Sequence, residues 1–315
     1  MSVTLTVRHY APEDAAAWNA FVATSKNGTF LHDRRFMEYH SDRFQDRSLI
    51  VEAGGKIAAL LPANLKGTEL QSHGGLTYGG LITGQSMSAS AMCETVSALG
   101  EFLRGDGIAR LRYKPVPHIF HRYPAEEDLY ALFQAGARLV RSDLASAIAV
   151  GHAPSFSKSK RQGITRAGKF GLQVSQSDDI AGFWDILTAR LHDAHQARPT
   201  HSLEELKLLK DRFPENIQLW TAGDSEGLQG GIVTFSCGPV LHAQYMAATD
   251  DGRQNGALDL IIGHLAQSGY GGHRWFSFGI STTGDGRELN SGLSRQKEMF
   301  GARSVVFEQY EWDVE

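Results

Sequence analysis

The sequence is short of cysteine: its 315 residues include two, Cys93 and Cys237. So far apart, they cannot build a disulfide framework, and reduced, buried thiols in a cytoplasmic protein are expected. Long apolar runs are missing as well. No window approaches the 18 or so uninterrupted apolar residues of a spanning helix, so no membrane insertion is expected. The opening "MSVTLTVRHYAPEDAAAW" has no basic patch followed by an apolar stretch, and a secretory signal is not expected. Several reaction classes lose their motifs. There is no GxSxG, no GxxxxGK[ST] and no HExxH, which removes the α/β-hydrolase, P-loop and zinc-protease readings. His118/His121 and His192/His195 have matching spacing, but without cysteine pairs or a compact carboxylate cluster they predict no metal site. "TDDGRQNGALD" carries acids and glycine out of register for a calcium loop. An excess of positive charge is also lacking. The formal net charge of −4 argues against a general nucleic-acid coat.

Against that background one stretch stands out. "SFSKSKRQGITRAGKFGLQV", residues 155–174, holds Lys158, Lys160, Arg161, Arg166 and Lys169, with no acid before Asp178. Written as a helix, it puts Ile164 and Ala167 on one face with Phe170 close by, and Lys158, Arg161 and Arg166 on more polar sides. Gly163 and Gly168 each weaken a helix by about 1 kcal/mol relative to alanine, so order is expected to come from docking. A solvated face, a phosphate pocket and a nucleic-acid contact all fit the residues.

The rest of the chain reads as alternating strands and helices. "SLIVEAGGKIAALLPANL" is two strands joined at Gly54-Gly55. "SAMCETVSALGEFLRGDG" has helical apolar spacing. "ARLRYKPVP" sets Leu111 and Tyr113 against Arg110, Arg112 and Lys114, a strand with one wet face. In the second half, Ser202 and Glu205 form a capping box before "LEELKLLKDRF". "IQLWTAG", "LQGGIVTFSCG" and "VLHAQYMAAT" follow as strands, then the helix "GALDLIIGHLAQSG" and the strand "RWFSFGI". The order recurs in both halves, so two related α/β (α+β) domains are expected: 1–152, a basic junction segment 153–172, and 173–315.

Three motifs carry a family resemblance. "KRQGITRAGKFGLQV" resembles a junction signature, "RWFSFGI" a strand that usually reads Phe-Asp-Phe-Gly, and "RQKEMFGA" a terminal Lys-x-x-Phe-Gly motif. Together they resemble the tandem GNAT-fold acyltransferases of the FemA/FemB/FemX-like kind, a superfamily that includes peptidoglycan bridge-forming and BioF2-like acetyltransferase members. The resemblance implies two GNAT-like domains, each a mixed, mostly antiparallel sheet flanked by helices, with a cleft between them. It also implies N-acyl transfer, with acetyl the leading group, from a thioester such as acetyl-CoA to an amine of a cell-envelope or polysaccharide precursor, with a sugar nucleotide as a candidate acceptor and no permanently bound cofactor. Two alternatives are aminoacyl transfer from aminoacyl-tRNA and a non-catalytic binding protein. Ser277 stands where the family usually has Asp, so no carboxylate role carries over. Residues 253–258, "RQNGAL", half-match the pyrophosphate loop, with Leu258 in place of its last small residue, against close backbone approach to a phosphate.

The chemistry needs a proton acceptor for the amine and fixed charge for the developing oxyanion. Lys297, His121 and Tyr245 are the candidate catalytic residues. Arg253, Asn255, Gly256 and Arg295 are candidates for the phosphates of the donor. Pro115, Pro117 and Pro124 stiffen the stretch "YKPVPHIFHRYP", which would present Lys114, His118, His121 and Tyr123 to an acceptor. Tyr78, between two Gly-Gly pairs, and Arg161 join the substrate-binding candidates. Strict alternation along "VLHAQYMAA" puts His242, Gln244 and Met246 on one strand face and Leu241, Ala243 and Tyr245 on the other, with Gln244 or Tyr245 expected to touch substrate.

Overall fold

A computed structural model describes residues 4–152, 155–195, 198–267 and 270–314. The chain divides into two compact units. The first holds Met1–Leu144, Thr282–Glu288 and Val306–Glu315; the second holds Ala145–Ser281 and Leu289–Val305. This partition differs from a simple split between 1–152 and 173–315, for a pairing reason. Tyr310–Asp313 pair antiparallel with Tyr113–Arg110 in the first unit, while Ala145–Ala149 pair with Trp275–Ile280 in the second. The basic stretch belongs to the second unit. Among the described residues, no helix is long and apolar enough to cross a membrane.

In the first unit, Gly54 and Gly55 take φ of +57° and +76° and close a hairpin between Leu49–Ala53 and Lys56–Leu61. That turn needs two left-handed residues, which glycine supplies without a Cβ penalty. Leu5–His9 and Ile82–Thr83 flank the hairpin in an antiparallel sheet. Arg110–Tyr113 pairs in parallel with Glu69–Gln71, with Leu111 and Tyr113 fully buried as the alternation predicts. Ser88 caps the helix Ala89–Gly105 by accepting the Ala91 N–H. One face of that helix, with Met92, Val96, Leu99 and Leu103, meets Leu49, Leu61, Leu111 and Trp312 in one core.

The second unit is an antiparallel run of Gln173–Ser177, Ile217–Asp224, Gly227–Cys237 and Val240–Ala248, extended by the parallel strand Trp275–Ile280. Gly230 and Gly231 explain how helices approach it from both sides. Successive strand residues face opposite ways. A Cβ on Gly230 would lie 3.2 Å from the Cβ of Ala257, and one on Gly231 would lie 2.6 Å from the Phe183 ring. The helices Ala257–Gln267 and Ile180–His195 therefore cover opposite faces. Trp220, Ala222, Ile232, Ile261 and Leu265 form the core on the first of these. The helix Lys158–Lys169 docks there too. A Cβ on its Gly163 would fall 2.0 Å from Asp259 Oδ2, and one on Gly256 would fall 2.5 Å from Gly163 O. The two helices touch backbone to backbone, which is why this sequence tolerates glycine inside a helix.

Candidate functional site

The site begins with a bulge. Val233 pairs with Tyr245 and Thr234 with Ala243, so Gln244 is the extra residue opposite the next strand. A bulge reverses the alternation beyond it. Met246 thus joins Leu241 and Ala243 on the face of helix Ala257–Gln267. Tyr245 falls with His242 on the opposite face, which corrects the assignment made from strict alternation. Its hydroxyl lies 2.6 Å from His201 Nδ1, and its ring meets Trp184 edge-on.

The neighbouring strand parts from this one. Val240–His242 pair in parallel with Trp275–Ser277. After Ser277 the register of Trp275–Ile280 shifts against Ala145–Ala149, and Gly279 takes φ of +70°. The ring of Phe278 and the side chain of Met246 then wall a pocket of about 250 Å³, together with Leu258, Ile262, Leu293 and Phe300. Lys160, Arg253, Asp259, Gln296 and Lys297 supply its polar groups.

Lys297 is 4% exposed and donates to Gly279 O at 2.9 Å, Ile280 O at 2.7 Å and Ser281 Oγ at 2.8 Å. An ammonium has three N–H bonds, and all three are engaged. Burial lowers its pKa from the usual 10.5 to about 8. Lys160 is held differently. Its Nζ pairs with Asp259 Oδ1 at 2.8 Å and sits 4.4 Å from the centre of the Phe300 ring. The remaining cations of its helix, Lys158, Arg161, Arg166 and Lys169, are exposed, although an Arg161 N–H reaches Phe156 O.

The segment matched to a pyrophosphate loop is a short helix, Asp250–Asn255. Three of the amides in and after it are engaged locally: Gly252 N–H donates to Thr249 Oγ1, Arg253 N–H to Thr249 O and Gly256 N–H to Gly252 O. Asp250 and Asp251 occupy its first turn, where they oppose an approaching phosphate. A Cβ on Gly252 would lie 2.0 Å from Gln229 O, so that glycine serves close packing, as Gly256 does. Arg253 lines the pocket but pairs with Asp250 at 2.6 Å, and Asn255 Nδ2 donates to Gln229. Arg295, beside the pocket-lining Gln296, is exposed.

The acceptor candidates of the first unit lie in two settings. His118 and Tyr123 are exposed. Tyr78 is buried, its hydroxyl 3.3 Å from Thr29 Oγ1 and its ring against Phe120. His121 is buried with Nε2 2.7 Å from Val116 O, and burial lowers its pKa. Lys114 is half-buried and donates to Leu76 O; burial first, then the charge of Arg141, lowers its pKa to about 8. Arg34 and Asp33, at a helix start, serve structure. Asp33 accepts from Arg35 N, and the buried Arg34 pairs with Glu38 and Asp46 beneath the Tyr10 ring.

The structure thus gathers Arg253, Gly256 and Lys297 at one pocket and leaves Gln244, Tyr245 and Arg295 outside its lining. Sequence reasoning missed Met246, Phe278, Leu293 and Asp259 as wall residues. The terminal Lys-x-x-Phe-Gly motif held half of the signal, because Phe300 and Lys297 share the pocket. The bulge that brings in Met246 left no mark. No group of three or more metal-ligating side chains occurs among the described residues, and His195, of the His192/His195 pair, falls among the side chains left undescribed.

No protein-family model and no curated protein matches the sequence. Solved structures do match. FemX covers 98% of this chain and 97% of its own at 12% identity, with a TM-score of 0.71. The L-PGS of Bacillus licheniformis covers 96% and 92% at 12% identity, with a TM-score of 0.63. The C-terminal domain of a protein described as a putative lysylphosphatidylglycerol synthetase from Agrobacterium fabrum covers 95% and 92% at 12% identity, with a TM-score of 0.60. At such identities the likeness is one of fold, and the chain has the FemX-type α/β fold that its motifs resemble.

Proposed function

We propose that the chain is a transferase that moves an aminoacyl group from aminoacyl-tRNA to an amine of a cell-envelope precursor. One observation carries the reading: an apolar pocket opens where two parallel strands part, and the buried ammonium of Lys297 stands in its wall. When a neutral amine attacks an ester carbonyl, an N–C bond forms and negative charge grows on the carbonyl oxygen. A fixed positive charge in a dry site lowers that barrier without reorganising. Lys297 acts through its charge, since its N–H bonds are engaged in holding Gly279–Ser281. The C–O ester bond then breaks, and the proton released by the amine goes to the departing ribose oxygen.

The exposed cations of Lys158–Lys169 suit the phosphates of the carrier, because Lys160 of the same helix lines the pocket. One of the similar folds is described as a putative lysylphosphatidylglycerol synthetase, a name that denotes an aminoacylated product. A second reading, transfer from acetyl-CoA, draws on the GNAT-like fold and on Arg253 at the pocket. It ranks behind because the amides of Gly252, Arg253 and Gly256 are already engaged and two acids stand at the N-terminus of the helix Asp250–Asn255. On the acceptor side, Lys114 in the first unit suits a phosphate such as a sugar nucleotide carries.

Thermal shifts with charged tRNA, uncharged tRNA and acetyl-CoA, alongside a labelled aminoacyl-transfer assay, test the reading. Charged tRNA should raise the melting temperature, with the effect fading between about 50 and 200 mM salt. Stabilisation by acetyl-CoA alone, with acetyl transfer, would replace this reading with the second.

A further inference from the structure

We infer that the pocket accepts an aminoacyl group with an uncharged, apolar side chain of the leucine-to-phenylalanine class. The inference rests on the aminoacyl reading above and names the substrate class within it. Volume is the first argument. About 250 Å³ walled by Met246, Leu258, Ile262, Phe278, Leu293 and Phe300 is more than a glycyl or alanyl group can fill. Unfilled apolar space forfeits both burial and dispersion contacts, so a larger apolar side chain binds better there.

Charge is the second argument, and it is independent of volume. Three cations line the pocket, Lys160, Arg253 and Lys297, against one carboxylate, Asp259. Asp259 already holds Lys160 at 2.8 Å. It can be shared with the α-ammonium that every aminoacyl donor carries. A lysyl or arginyl side chain would then be a further cation among three, with the neutral Gln296 the one other side-chain acceptor in the lining besides Asp259. An acidic side chain would meet Lys160 and Arg253, each already paired with a carboxylate, only by shedding its hydration among the apolar walls.

The test uses the full chain and tRNA mimics that carry leucine, phenylalanine, alanine, glycine or lysine through a stable 3′-amide, with dissociation constants from calorimetry. Leucyl and phenylalanyl mimics should bind at least about 10-fold more tightly than the alanyl, glycyl and lysyl ones, since a single methylene in an apolar pocket is worth about 10- to 200-fold. Leu293→Trp enlarges a residue that is 38% exposed, so it spares the core. It should shrink the leucyl advantage to less than about 3-fold while the melting temperature stays in place. Alanyl, glycyl or lysyl mimics binding as tightly as leucyl would overturn the inference and leave aminoacyl transfer standing. Failure of every mimic to bind would remove the aminoacyl reading and this inference with it.

Discussion

Each unit holds one lysine whose pKa has fallen to about 8, and the two are wired in opposite ways. Lys297 gives its three N–H bonds to three acceptors, and burial accounts for its shift. Lys114 gives one bond to Leu76 O among the described residues, and burial is aided by the charge of Arg141. An equal affinity for the proton therefore conceals an unequal availability to ligand. The saturated ammonium ties down Gly279–Ser281, and in the proposed mechanism it acts through its field. The unsaturated one has one acceptor among the described residues, which is what suits it to the proposed anion contact. A pKa alone would have made the two look interchangeable; the count of acceptors separates them.

Lys297→Met tests this difference hardest. It should cut the transfer rate by about 100- to 1,000-fold, the usual scale for losing a preorganised oxyanion stabiliser. It should also lower stability by about 1–3 kcal/mol, because three acceptors, the buried Ser281 hydroxyl among them, lose their donor while one desolvated charge is removed. Urea denaturation and single-turnover transfer would measure the two effects. A variant as stable as the parent would refute the view that Lys297 holds Gly279–Ser281 in place.

The comparison also marks how far the sequence could be read. The hairpin at Gly54-Gly55, the alternation of Leu111 and Tyr113, the Ser202 capping box and the basic helix all follow from local patterns, and all occur. Lys297 was legible because a motif placed it beside Phe300. Met246 was not, since one extra residue at Gln244 inverts the faces and nothing in "VLHAQYMAA" announces it. His121 and Tyr78 show the converse. Their residue types suggest chemistry, but whether a ring faces a pocket or a core depends on contacts remote in sequence.

The two glycines of the basic helix test the wall that carries Lys160. By propensity either glycine changed to alanine should stabilise a helix by up to about 1 kcal/mol. Gly168 has nothing within 4 Å of a built Cβ, and Gly168→Ala should show that gain. Gly163→Ala should instead cost about 1–3 kcal/mol, because its Cβ would collide with Asp259. Thermal melts of the pair check both signs. Equal gains would mean that the docking is looser than the 2.0 Å approach implies.

Lys114→Met should act on binding and spare the fold. One backbone carbonyl loses a donor, so stability should move by about 1 kcal/mol at most. The KM of a phosphate-bearing acceptor should rise about 10-fold, the worth of one charge-assisted contact, with kcat little changed. A fall in kcat with unchanged KM would give Lys114 the part assigned to Lys297.

The smallest effect separates the two lysines by pH. For stability, a lysine whose folded pKa lies below its unfolded value disfavours its own charge. The chain should therefore gain stability as pH rises from about 8 towards 10.5, where the unfolded chain still holds the proton. For catalysis the sign is opposite, since both roles need the ammonium. Above about pH 8 kcat should decline as Lys297 discharges, and acceptor KM should climb as Lys114 does. Lys297→Arg keeps a charge that does not titrate in this range, but its planar fork cannot match three acceptors arranged for an ammonium. Its kcat should be a few-fold lower at neutral pH, by roughly 3- to 10-fold, and flat to about pH 10, while the climb in KM persists. If that substitution removed the bend in KM and left the bend in kcat, the saturated lysine would be the one that meets the acceptor.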